Sequence, residues 1–173
     1  MEEGKSFHFH ILSLNAGMVV IMQFWITRKL EKVPPMMIMT AGCLLYAIGF
    51  AMYGFVYTYW LFLLAMVIIT IGEMFTVPVA QTIVSYFAPE EMRGRYMAIF
   101  GYAWILPSAI GPLLAGLIMD NTNPNWVWYG SFILALLSAL GFWGIHLKAG
   151  HRFLSTAGLA QAMDNPVIPS VEP

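Results

Sequence analysis

Charge is almost absent from five stretches of this chain. Phe9 to Thr27, Met36 to Tyr57, Tyr59 to Gln81, Tyr96 to Met119 and Trp126 to Leu147 contain no Asp, Glu, Lys or Arg except Glu73. A helix crossing a hydrocarbon core about 30 Å thick needs about 20 apolar residues at 1.5 Å each. Each stretch is long enough. Backbone amides left unpaired in lipid are costly, so stretches of this kind form helices. The pattern therefore predicts an all-α integral membrane protein with five transmembrane helices. It divides the chain into an extracytoplasmic segment 1–8, a five-helix domain 9–147 and a polar cytoplasmic tail 148–173.

Composition points the same way. Hydrophobic residues make up 60% of the chain and charged residues 10%, against about 25% charge in a soluble domain. That leaves too little polar surface for a water-exposed exterior. The first stretch does not read as a signal peptide. Glu2, Glu3 and Lys5 precede it, no small-residue cleavage site follows it, and a charged segment, Arg28 to Lys32, comes next.

The few charges set an orientation. Arg28, Lys29 and Lys32 lie between the first and second stretches, Arg93 and Arg95 between the third and fourth, and Lys148 and Arg152 after the fifth. The two remaining connections, around Thr58 and from Asp120 to Asn125, have no Lys or Arg. The positive-inside rule makes the basic side cytoplasmic, with the N-terminus outside and the C-terminus inside. An inner-membrane, multi-pass location follows. Trp25, Tyr57, Tyr59, Trp60, Trp126, Trp128 and Trp143 fall near the expected interfaces, where amphipathic rings are favoured.

The segment "APEEMRGRYMAIFGYAWILPSAIGPLLAGLIMD" sets charges directly against an apolar run. Pro89 suits a helix start, and Glu90 and Glu91 favour the positive end of the helix dipole. Arg93 and Arg95 hold the loop at the membrane face. Pro34 and Pro35 mark a second helix start. Gly94, Ala98, Gly101, Ser108, Pro112 and Ala115 recur at helical spacing, a stripe of small residues with Gly111 and Gly116 beside it. Small stripes let membrane helices approach closely. Pro107 and Pro112 are expected to bend or open the helix. The stripe fits either helices that rock or static packing in a compact bundle.

These segments resemble the major facilitator superfamily of transporters, especially its bacterial drug-exporter-like members. The Ala88 to Asp120 segment resembles their tenth-to-eleventh helix region. "LSLNAGMVVIMQFWITRKLEKVPPMM" resembles the eighth helix and its basic loop, and "ITIGEMFTVPVAQTIV" the tenth helix. The resemblance implies the eighth to twelfth helices of a twelve-helix protein, a partial C-terminal bundle. Helices two to six of the related first half are the alternative. The first half's Gly-x-x-x-Asp-Arg-x-Gly-Arg-like loop argues against it, because "QFWITRKLEKVPP" lacks the Asp and Gly.

Glu73 is the one ionisable group deep in a stretch, about 5 Å from its middle. An ionised carboxylate in hydrocarbon must face a cavity, pair or take up a proton. Thr70, Glu73 and Gln81 share a helical face, and Asn15 and Gln23 fall on neighbouring parts of the first stretch. These residues read as a substrate or proton pathway, or Glu73 reads as a hydrogen-bonded carboxyl locking two helices. His8 and His10 lack the partners of a metal site, and Cys43 has no second cysteine. Asp120 reads as a helix-end residue. No nucleotide-binding, zinc-protease or hydrolase signature is present, and eight basic residues are too few for nucleic acid.

No cofactor, metal or catalytic residue is expected. The expected partners are the lipid bilayer, a small-molecule substrate, protons if transport is proton-coupled, and a missing N-terminal half if the protein is longer. Two functions stand. One is a part of a secondary transporter, with proton-coupled efflux among its forms. The other is a truncated membrane interaction or scaffold protein without transport activity.

Overall fold

The computed structural model describes Gly17, residues 19–26 and residues 28–149. Residues 1–16, 18, 27 and 150–173, and with them His8, His10 and Asn15, lie outside the described residues. Among the described residues every regular element is helical. Helix α1 comprises residues 19–26 and 28–30. It is followed by α2 (Pro35–Phe55), α3 (Tyr59–Phe87), a short 3-10 turn (Glu90–Met92), α4 (Arg93–Asn121) and α5 (Asn125–Ala149). The last four long helices are each long and apolar enough to cross a membrane. They correspond to the second to fifth uncharged stretches.

Helices α3, α4 and α5 outrun the stretches that announced them, while α2 ends at Phe55, short of Tyr57. Helix α3 continues from Gln81 to Phe87, and α4 begins at Arg93 rather than Tyr96. Lipid fixes the apolar length, but intrahelical hydrogen bonding continues into the interface, where charged side chains remain hydrated. Pro34 and Pro35 start α2 as its N-cap and first helical residue. Pro89 instead precedes the 3-10 turn that carries Glu90 and Glu91. Pro78 sits within α3, and Pro107 and Pro112 within a continuous α4.

The bundle is centred on α2, which packs against both α3 and α5. Between α2 and α3 the backbones nearly touch. A Cβ on Gly72 would lie 3.0 Å from the Gly42 carbonyl oxygen, and one on Gly49 would lie 3.2 Å from the Ala65 carbonyl oxygen. Gly42 faces Gly72 and Gly49 faces Ala65, so one antiparallel register holds over two helical turns. Close approach gives the dispersion contact that associates helices in lipid. Near the α1–α2 end, Ile38, Met39 and Val79 form a core with Leu30, Val33, Phe75, Ala80, Ile83 and Phe142 around it. At the opposite end the Tyr53 ring packs at a tilt between Phe62 (4.8 Å) and Trp128 (4.9 Å). Tyr129 donates a 3.3 Å hydrogen bond to the Gly54 carbonyl.

Helix α4 stands apart. It has no buried residue and makes only sparse contacts with α3 and α5. A Cβ on Gly101, Gly111 or Gly116 would meet nothing within 4 Å. Within the described residues the close helix approach is made at Gly42 and Gly72, and the α4 stripe of small residues faces outward.

Candidate functional site

Helix α3 positions the one intramembrane carboxylate. Glu73 is half-buried. Tyr46 of α2 packs beside it: a Cβ on the preceding residue, Gly72, would lie 3.5 Å from the Tyr46 ring. Three and four residues beyond Glu73 come Thr76 and Val77, and seven beyond comes Ala80. Helical periodicity puts all four on one side of α3. Thr76, Val77 and Ala80 line a pocket of about 170 Å³ whose other wall is Phe100, Ala103 and Trp104 of α4. The pocket thus lies along the α3 face that Glu73 continues.

The expected polar face divides between packing and exposure. Thr70 is 1% exposed, and its hydroxyl donates to the Met66 carbonyl of its own helix. Thr76 does the same to Gly72. Their polar groups are thereby satisfied within α3, as buried threonines in helices commonly are. Gln81 is exposed, and Gln23 is half-buried on α1. Thr76, Val77 and Ala80 therefore line the pocket on the face that Glu73 continues, and Thr70 is spent on packing. Tyr46, Thr76 and Trp104 were not singled out from sequence. Spacings of three and seven from Glu73 could have found Thr76 and Ala80. Nothing in the sequence tied Tyr46 or Trp104 to Glu73, because that pairing depends on how α2 and α4 cross α3.

The interfacial charges are arranged differently. Arg28 and Lys29 are exposed, and the Arg28 guanidinium lies 4.9 Å above the Phe24 ring. Glu90, Glu91 and Arg95 are exposed around the 3-10 turn. Arg93 is half-buried, and among the described residues its Nε is buried without a hydrogen-bond partner. Among the described residues no group of three His, Cys, Asp or Glu side chains could hold a metal ion. Cys43 is a buried free thiol.

Long apolar helices, a close-packed α2–α3 pair and a half-buried carboxylate define a multi-pass, all-α membrane protein. The profile of the Major Facilitator Superfamily matches residues 6–162, and the chain belongs to that family, whose members are transporters rather than enzymes. It is 29% identical over 141 residues to the uncharacterized MFS-type transporter YdeE of Escherichia coli, covering 80% of this chain and 34% of that protein. It is 28% identical over 145 residues to a Na(+), Li(+), K(+)/H(+) antiporter of Planococcus maritimus, covering 79% of this chain and 32% of that protein. Multidrug resistance protein 3 of Bacillus subtilis is 33% identical over 97 residues, covering 56% of this chain and 19% of that protein. The chain spans about a third of the length of the first two of these relatives. No solved structure matches it.

Proposed function

We propose that these helices are the eighth to twelfth of a secondary transporter and form one wall of its central solute pathway. The observation that carries this reading is the placement of Glu73 on the α3 face that continues through Thr76, Val77 and Ala80 into the pocket beneath Trp104. A carboxylate at that depth is costly unless it meets water, a cation or a proton. Helix α4 supports the reading too. Its unburied surface and outward small-residue stripe suit the docking of a second helical half. Alternating access needs two such halves around a shared site, so this chain alone is not expected to transport.

The antiporter and drug-resistance names of its relatives support small-molecule export coupled to protons. Glu73 is then the group that takes up and releases the proton, with Tyr46 and Thr76 beside it. The basic loops support an N-terminus outside and a C-terminus in the cytoplasm of an inner-membrane protein.

Transport in vesicles tests the proposal. Glu73→Gln keeps size and hydrogen bonding but cannot ionise. In the full-length protein, with expression matched, it is expected to fold and to lose proton-driven transport. Near-normal coupled transport by Glu73→Gln would reduce Glu73 to a helix-locking role. Full transport by the 173-residue chain alone would overturn the one-wall reading.

A further inference from the structure

The end of α1 carries a groove that the transport pathway does not use. Phe24, Trp25, Arg28 and Lys29 line an open groove of about 260 Å³ on one side of the helix. The floor is aromatic and exposed, with Phe24 63% and Trp25 70% accessible. Two cations stand one turn further along, at the turn that ends the helix. Among the described residues neither Arg28 nor Lys29 has an ion-pair partner. Lys32 and Glu31 follow in the turn, both exposed, so the segment holds three cations against one carboxylate.

We propose that this groove is a binding site for an anionic phospholipid, its phosphate held by Arg28 and Lys29 and its acyl chain laid along Phe24 and Trp25. The order of the groups matches a lipid's own, apolar deeper in the bilayer and charge at the headgroup level. The Arg28 guanidinium already lies over the Phe24 ring, which reduces the ordering needed when it binds phosphate. Arginine offers a planar fork for two phosphate oxygens, and the lysine adds a point charge. A soluble anion would use the cations and leave the rings in contact with nothing. A lipid uses both. The site sits at a bilayer surface in either orientation of the chain and does not rest on the transport reading.

Native mass spectrometry of the purified full chain tests this. Equal concentrations of phosphatidylglycerol and phosphatidylcholine are added to the detergent-solubilised protein. Phosphatidylglycerol is expected to be retained preferentially. Arg28→Gln with Lys29→Gln should weaken that retention by about thirtyfold, the effect of removing two cations near an anionic surface. The same double variant should leave phosphatidylcholine retention unchanged. Arg95→Gln with Lys148→Gln removes equal charge elsewhere and should leave phosphatidylglycerol bound. Phe24→Ala should weaken binding with both cations intact. Circular dichroism checks that each variant is helical. Equal retention of the two lipids, a control pair that loses as much as the groove pair, or displacement of the lipid by inorganic phosphate would each overturn the proposal.

Discussion

Gly42 of α2 and Gly72 of α3 meet backbone to backbone. A Cβ on Gly42 would lie 3.1 Å from the Gly72 carbonyl oxygen and would collide with the Thr76 methyl group. Neither carbonyl can withdraw without breaking its helix. We expect Gly42→Val to destabilise the bundle by about 1–3 kcal/mol through overpacking. Gly111→Leu, which meets no neighbour among the described residues, should change the stability of this chain by roughly 0.5 kcal/mol or less. Thermal unfolding in one detergent compares them. A larger loss for Gly111→Leu in the isolated chain would contradict the α2–α3 register.

The other end of α2 is held by Tyr129 against Gly54. A Cβ on Gly54 would approach the Tyr129 ring to 2.6 Å, and the Tyr129 hydroxyl already bonds the Gly54 carbonyl. Tyr129→Phe removes only the hydrogen bond and should cost about 0.6 kcal/mol. Gly54→Val displaces the ring and should cost more, about 1–3 kcal/mol. Stabilities measured by thermal unfolding should rank parent, Tyr129→Phe, Gly54→Val. A reversed order would mean that the ring moves freely and the contact is incidental.

Much of this architecture was legible in the sequence. Lipid imposes a minimum uncharged length, so each described span after α1 was visible as a run without charge, Glu73 of α3 excepted. Helix ends were not, because α3 passes Gln81 and α4 starts at Arg93 in the interface, where hydropathy no longer constrains the backbone. Attention to the densest cluster of Gly and Pro pointed to α4 for close packing. The contact itself uses a sparser signal, Gly42 and Gly49 seven residues apart on α2, opposite Gly72 and Ala65 seven apart on α3. Glu73 stood out because an intramembrane carboxylate is expensive. Thr70 was drawn into the same face by spacing alone, and only packing reveals that its hydroxyl is spent on Met66.

Orientation gives a separate test. The positive-inside pattern of the connections predicts Glu2 outside and Val171 in the cytoplasm. In a Cys43→Ser background, Glu2→Cys should react with a membrane-impermeant thiol reagent in intact cells. Val171→Cys should react only after the membrane is opened. Labelling of both ends from the same side would contradict an odd number of spans.

The central claim is that the α3 face from Glu73 to Ala80 borders an aqueous pathway. Thiol accessibility in the full-length protein, again in a Cys43→Ser background, tests it most directly. Val77→Cys and Ala80→Cys beside the pocket should react with a small water-soluble thiol reagent. Leu64→Cys, an exposed apolar position of the same helix, serves as the lipid-facing comparison and should not react. The account predicts reaction at Val77 and Ala80 at least about tenfold faster than at Leu64, since a thiol in hydrocarbon is not ionised to the reactive thiolate. Equal inertness at all three positions in a transport-competent protein would contradict it.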